Sequence, residues 1–181
     1  KALQDRVDDI FNKLPAPKPS RVSRQQKSAQ RSSNGPIRMS AYNCASAPCF
    51  HGSCRVSMAN GTGTKLVKDI QTGDVVVATK RGGLPCKSTA KVLRILKTKC
   101  LHGMATLVTL PKSGLKVTEW HPVRRGGSWC FPASLGKACE ERCDAVYSFL
   151  LEEETHCSMM INGEEVITLA HGIENDPVAS H

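Results

Sequence analysis

Cys49-Phe50-His51-Gly52-Ser53-Cys54-Arg55-Val56, followed soon after by Thr64-Lys65-Leu66-Val67-Lys68-Asp69-Ile70-Gln71-Thr72-Gly73-Asp74-Val75-Val76, marks the point where the chain changes character. From Cys49 onward, short runs of β-branched and aliphatic residues alternate with turn residues. The pattern predicts strands over 55–58, 65–67, 75–79, 90–98, 106–110, 116–118, 145–151, 159–161 and 165–169. Turn signals separate them: Ala59-Asn60-Gly61, Thr72-Gly73-Asp74, Gly82-Gly83, Pro111-Lys112-Ser113-Gly114, Gly126-Gly127 and Asn162-Gly163. The last reads as a tight hairpin turn. Asp74 reads as a structural turn residue. This is an all-β pattern, and propensity alone does not choose between sandwich, barrel and other β folds.

Upstream the composition is different. Residues 15–43 carry six basic residues, no acidic one, and few apolar groups. Pro15, Pro17 and Pro19 oppose a helix. Such a segment buries too little to offset its ordering entropy, and the expectation is a disordered basic linker over 15–48. Before it, Leu3, Val7, Ile10, Phe11 and Leu14 recur at helical spacing, which predicts a short amphipathic helix over 1–14. Its apolar stripe is expected to belong to an upstream region, and Lys1 opens the chain without a leader pattern. The reading is therefore of a piece of a longer protein.

The net charge of +9 invites a nucleic-acid reading, but its distribution argues against one. Residues 1–48 hold nine Lys/Arg and three acids, whereas 49–181 hold sixteen and thirteen. Most of the excess sits in the linker, which lacks interleaved aromatics before Tyr42 to stack bases. No apolar run approaches the ~20 residues a membrane span needs. Nine cysteines is an odd count, so at least one thiol stays unpaired, and a reducing, cytoplasmic setting is favoured.

Further along stand Val117-Thr118-Glu119-Trp120-His121-Pro122, then Val146-Tyr147-Ser148-Phe149-Leu150 and Met160-Ile161-Asn162-Gly163. Taken in order, these elements resemble the Hint superfamily of hedgehog autoprocessing domains and inteins. Cys49-Phe50 with Gly52, and Leu66-Val67-Lys68-Asp69-Ile70 followed by Gly73-Asp74, resemble the hedgehog opening. Thr118 and His121 match the Thr-x-x-His element that both groups share. The segment from Val146 to Gly163 is similar to the last intein strands. Thr168-Leu169-Ala170-His171-Gly172-Ile173 is most like the Vint domains attached to von Willebrand A domain proteins. The resemblance implies an all-β Hint horseshoe, or disk, of two pseudo-symmetric β subdomains over 49–181. It also implies a single-turnover, cofactor-free self-processing activity.

The residues make chemical sense of that. A thiol directly after a linker can attack the carbonyl of its preceding residue and convert the Pro48–Cys49 amide to a thioester. A free cysteine has a pKa of about 8.5, so little thiolate exists at neutral pH and the thiol needs help. His121 is the candidate for proton transfer. Thr118 is expected to meet the scissile carbonyl, where a donor stabilises the tetrahedral oxyanion, or to orient the histidine. The resemblance adds His156, Thr168 and His171 as helpers. Cys44 also follows linker sequence and stays open as an alternative nucleophile, and Cys54 reads as a core or second thiol. Structural readings stay open for each: Cys49 as a core residue, Thr118 as strand material, His121 as a turn residue before Pro122.

Departures from the family narrow the outcome. Thr168 falls where an intein carries its terminal Asn and a hedgehog domain a Cys, and Thr cannot form a succinimide. The stretch 91–97, where a hedgehog domain is expected to carry its sterol-activating Asp, has no acid. Standard splicing and sterol transfer are therefore disfavoured. The expected substrate is the chain's own N-terminal flank, and the acceptor is water, a small thiol or an amine. A monomer is expected, with no nucleic acid, membrane, cofactor or metal. Cys130, Cys139, Cys143, His156 and Cys157 lack the paired spacing of a zinc site. A degenerate Hint fold acting as an interaction module, or a linker that binds nucleic acid, remain the alternative readings.

Overall fold

The computed structural model describes residues 48–59, 61, 63–81, 88–152 and 156–179. The expected helix, the linker before Pro48, Cys44 and the Gly82-Gly83 turn lie outside them. Thirteen strands are described: β1 (Phe50–His51), β2 (Arg55–Ser57), β3 (Thr64–Leu66), β4 (Val75–Lys80), β5 (Ser88–Lys99), β6 (Met104–Thr109), β7 (Lys116–Val117), β8 (Val123–Arg125), β9 (Ser128–Cys130), β10 (Ala138–Arg142), β11 (Ala145–Leu151), β12 (His156–Ile161) and β13 (Glu164–Ile167). Among the described residues, three single turns of 3-10 helix interrupt them. The all-β expectation is met, and the sheet does not close.

The strand order is β10-β6-β7-β1-β11-β5-β4-β12-β13-β8-β9, with β2 on β12 and β3 on β2. Every strand pair is antiparallel. The twelve-residue β5 links two halves: Ser88–Lys91 pairs with β4, and Val92–Lys99 pairs with β11. Exposed Thr89 and Lys91 alternate with buried Ala90 and Val92, as a strand with one wet face requires, and a register shift opposite Leu150 and Leu151 puts Arg94 on the exposed side. β11 lies between β1 and β5, and all seven of its residues are buried. Its near-continuous apolar run suits a strand covered on both faces. Phe50, Phe149, Leu110, Leu115, Met159 and Ile161 are fully buried in the main core. Each contributes about 1.5–3 kcal/mol through removal of apolar surface from water.

Nine expected strands are present, Ala145–Leu151 with both ends as expected and the others with ends shifted by at most three residues. Four others carry no apolar run to announce them. β1 has two residues, β8 and β9 have three each, and β10 reads Ala-Cys-Glu-Glu-Arg. β10 and β9 close the two ends of the strand order. Charged side chains at such an edge discourage pairing with another chain, and an edge needs no second apolar face. The expected hairpin at Asn162-Gly163 has φ of 50° and 76°. Both central residues are left-handed, as the two-residue turn between twisted strands demands. The Asn162 side chain also accepts from Arg55 N at 2.6 Å and donates to the Ser113 carbonyl at 3.0 Å. Asp74 receives the Lys65 ammonium and the Gln71 N–H, each at 2.8 Å. Burial works against its charge, but these donors hold the carboxyl below its ordinary range.

After β13 the chain comes back to β11. Leu169 bridges Leu150 in parallel, and its N–H donates to the Phe149 carbonyl at 2.8 Å. This return brings Ile167 and Thr168 beside the strand that carries Ser148.

Candidate active site

The opening of β1 is fixed by its register. Phe50 lies opposite Tyr147 on one side and Val117 on the other. One residue earlier, Cys49 therefore falls between Ser148 of β11 and Thr118 at the end of β7. The Cys49 N–H, which belongs to the Pro48–Cys49 bond, donates to the Thr118 hydroxyl at 3.0 Å. Thr118 N–H returns a bond to the Cys49 carbonyl at 3.0 Å. Across the bond, the Ser148 hydroxyl donates to the Pro48 carbonyl. The same hydroxyl lies 3.3 Å from the Cys49 sulfur. It has one proton: given to the carbonyl, it leaves a lone pair for the thiol, and turned to the sulfur it stabilises a thiolate.

Cys49 is 1% exposed. Burial pushes its thiol up to about 11, against the opposing help of the Ser148 bond. His121 is 2% exposed and lies against the Phe50 ring at 4.1 Å between centroids. Its Nε2 contacts the Ile167 carbonyl at 2.9 Å. A carbonyl can only accept, so Nε2 carries the proton and Nδ1 is the basic nitrogen. Nδ1 is buried without a hydrogen-bond partner among the described residues. Burial lowers His121 to about 4, while the Ile167 and Pro48 carbonyls favour its protonated form. Pro122 and Ile167 complete the clamp, with Ile167 N–H donating to the Pro122 carbonyl at 3.2 Å.

Three more expected residues surround this centre to different degrees. Thr168 follows Ile167; its N–H bonds the Cys157 carbonyl at 3.1 Å, and its buried hydroxyl has no partner among the described residues. His171 is near enough to His121 for their charges to repel. Its Nδ1 accepts from Ile173 N–H at 3.1 Å, its carbonyl accepts from Arg81 at 3.2 Å, and burial lowers its pKa. His156 opens β12 opposite Lys80 and meets the Ser88 hydroxyl at 2.9 Å. β5 and β4 separate that strand from β11.

A family model for Vint, described as Hint-domain, matches residues 48–181. The chain belongs to the Vint family of Hint domains. Solved structures agree on the fold. The Ssp DnaB mini-intein variant M86 is 15% identical over 67% of this chain and 95% of that one, with a TM-score of 0.53. A bacterial intein-like domain from Clostridium thermocellum is 17% identical over 68% and 99%, with a TM-score of 0.52. A DnaB intein from Synechocystis sp. PCC 6803 is 15% identical over 67% and 99%, with a TM-score of 0.52. No curated protein sequence matches the chain.

The Vint domain is thus of a self-processing family, and its architecture gathers Cys49, Thr118 and His121 around the Pro48–Cys49 bond. The Thr118 hydroxyl accepts from the amide N–H of the scissile bond, the Thr118 carbonyl accepts from the His121 N–H at 3.2 Å, and Ser148 donates to the Pro48 carbonyl. Ser148 was not singled out in the sequence. Its signal was there: it is the one small polar residue in an otherwise aliphatic and aromatic strand. Among the described residues, no three Cys, His, Asp or Glu side chains converge as metal ligands. The five residues weighed for zinc are spread over β9, the β10 region and β12.

Proposed function

We propose that this Vint domain cuts its own chain at the Pro48–Cys49 bond. One observation carries the reading: both ends of that amide are gripped, the N–H by Thr118 and the carbonyl by Ser148, with the Cys49 sulfur beside the Ser148 hydroxyl.

The sulfur attacks the Pro48 carbonyl carbon. With a pKa of about 11, roughly one Cys49 in 10⁴ is a thiolate at pH 7, so the thiol proton must leave during attack. His121 is neutral at that pH, and its unbonded Nδ1 accepts the proton. Ser148 donates to the oxyanion as the carbonyl becomes tetrahedral. The C–N bond then breaks as His121 returns the proton to the Cys49 nitrogen. The product is a thioester between Pro48 and the Cys49 sulfur, with a free Cys49 amine. Water, a small thiol or an amine releases the N-terminal part. Thr168 and His171 act on His121 from the side, through Ile167 and through charge. His156 is a more distant helper.

The test is the intact mass of the purified chain over a day at neutral pH, with and without dithiothreitol, beside Cys49→Ala. The expected result is loss of the first 48 residues, faster with thiol and absent in the variant. An unchanged mass in every sample sinks the reading and leaves a Hint fold that serves as an interaction module.

A further inference from the structure

Cys49 has two other thiols on its side of the sheet. β5 ends with Lys99 opposite Ala145 of β11. The next residue, Cys100, donates its N–H to the Asp144 carbonyl at 2.9 Å, and Cys143 donates its N–H to the Gly103 carbonyl at 2.9 Å. These bonds hold Cys100 and Cys143 where the chain leaves β5 and enters β11. Their side chains meet there. Both pack with Cys49, Leu107 and Val146 in a small apolar cluster distinct from the main core. Cys100 also lies close enough to Cys49 to affect its charge. Cys49 and Cys143 are buried, whereas Cys100 is half-buried and open to a small reagent.

We propose that Cys100 and Cys143 are a redox-active dithiol that a small disulfide oxidant closes, and that Cys49 exchanges into it through Cys100, which withdraws the nucleophile from cleavage. The Cys100 thiolate attacks one sulfur of an oxidant such as oxidised glutathione. The oxidant's S–S bond breaks, one reduced thiol leaves, and a mixed disulfide forms on Cys100. Cys143 then attacks the Cys100 sulfur, and the second reduced thiol leaves. The two protein thiols lose two electrons and two protons, and the oxidant gains them. Attack by Cys49 on Cys100 opens that bridge, forms Cys49–Cys100 and returns a proton to Cys143, with no further oxidation. The sulfur that must reach Pro48 is then bonded elsewhere.

The surroundings suit this chemistry. An uncharged disulfide fits beside Leu107 and Val146 better than a thiolate does. Burial, with the Cys100 thiol beside it, raises the Cys143 thiol above its ordinary range, so closure is slow at neutral pH and quickens as the solution becomes alkaline. The effect on cleavage rests on the processing reading above, but formation of the bridge does not.

The full chain is incubated with oxidised or with reduced glutathione, remaining thiols are blocked, and the digest is mapped by mass spectrometry. The expected oxidised products are a Cys100–Cys143 cross-link and a Cys49–Cys100 cross-link, both absent after reduction. Cleavage is expected to slow about tenfold or more on oxidation, because a disulfide-bonded sulfur is no nucleophile, and to recover with dithiothreitol. Cys100→Ser is expected to lose both cross-links and to cleave equally in either glutathione state. Absence of both cross-links in the oxidised native chain, or a Cys100→Ser chain that oxidation still arrests, overturns the proposal. If the reduced chain does not cleave at all, the processing reading fails separately, and the cross-link map alone decides the pairing.

Discussion

Thr118 and Cys49 hold each other by two hydrogen bonds: the Cys49 N–H donates to the Thr118 hydroxyl and the Thr118 N–H donates to the Cys49 carbonyl, each at 3.0 Å. The first bond is made by a side chain, the second by the backbone ladder that β7 extends past Val117. One strand end therefore does both structural and positional work. It continues the sheet and fixes the nitrogen that must leave.

Thr118→Val separates these two roles. Valine keeps the volume and the backbone bond but leaves a buried amide N–H unpartnered, at a cost of about 1–3 kcal/mol. Urea unfolding is expected to record that loss. Cleavage is expected to fall by more than the unfolded fraction explains, because the nitrogen is no longer held. A variant that unfolds earlier yet cleaves at the native rate per folded molecule would reduce Thr118 to a structural residue.

Ser148→Ala removes the donor on the Pro48 carbonyl and the group beside the Cys49 sulfur. Loss of a single oxyanion donor costs about 10²–10³ in rate. A fall of that size in thioester formation is expected, read as cleavage by dithiothreitol. Ser148→Thr keeps the hydroxyl and is expected to recover part of the rate. Native cleavage in the alanine variant would remove Ser148 from the mechanism.

His121 makes stability depend on pH. Burial lowers it from 6.5 to about 4 in the folded chain. Between those values the unfolded chain binds a proton that the folded chain refuses. Stability is therefore full above pH 6.5 and is lost as pH falls towards 4, by about 3 kcal/mol in total. His171, also lowered, acts in the same direction. Urea midpoints at pH 7 and pH 5 test this with His121→Gln beside the native chain. The variant is expected to show a shallower slope, and an unchanged slope would place the titration elsewhere.

How much of this was legible in the sequence depends on how each residue reaches the site. Strands with an apolar run, such as Ala145–Leu151, were legible because burial on both faces leaves a compositional mark. The hairpin at Asn162 was legible because few residues accept left-handed geometry. β1 and β8 to β10 were not, because two- and three-residue strands and charged edges lie below any periodic signal. Cys49, Thr118 and His121 stood out through motif and through position at a compositional boundary. Ser148 reaches Pro48 only because β1 pairs with β11 across nearly a hundred residues, and no local pattern encodes that pairing. The nitrogen-side placement of the Thr118 hydroxyl likewise follows from strand register.

Thr168 separates a structural hydroxyl from a functional one. Its buried Oγ has no hydrogen-bond partner among the described residues, so the fold carries the desolvation cost of a polar atom with nothing to offset it. Thr168→Val replaces that oxygen with a methyl group of similar size. Stability is expected to rise by about 1 kcal/mol, since removing an unsatisfied buried polar atom is favourable. The position adjoins Ile167, whose carbonyl fixes the His121 tautomer, so a gain in stability with a slower cleavage would mark a hydroxyl kept for the reaction. That pairing is the expected result, read from thermal melts and intact mass on the same samples. A stabilised variant that cleaves at the native rate would leave Thr168 outside the mechanism.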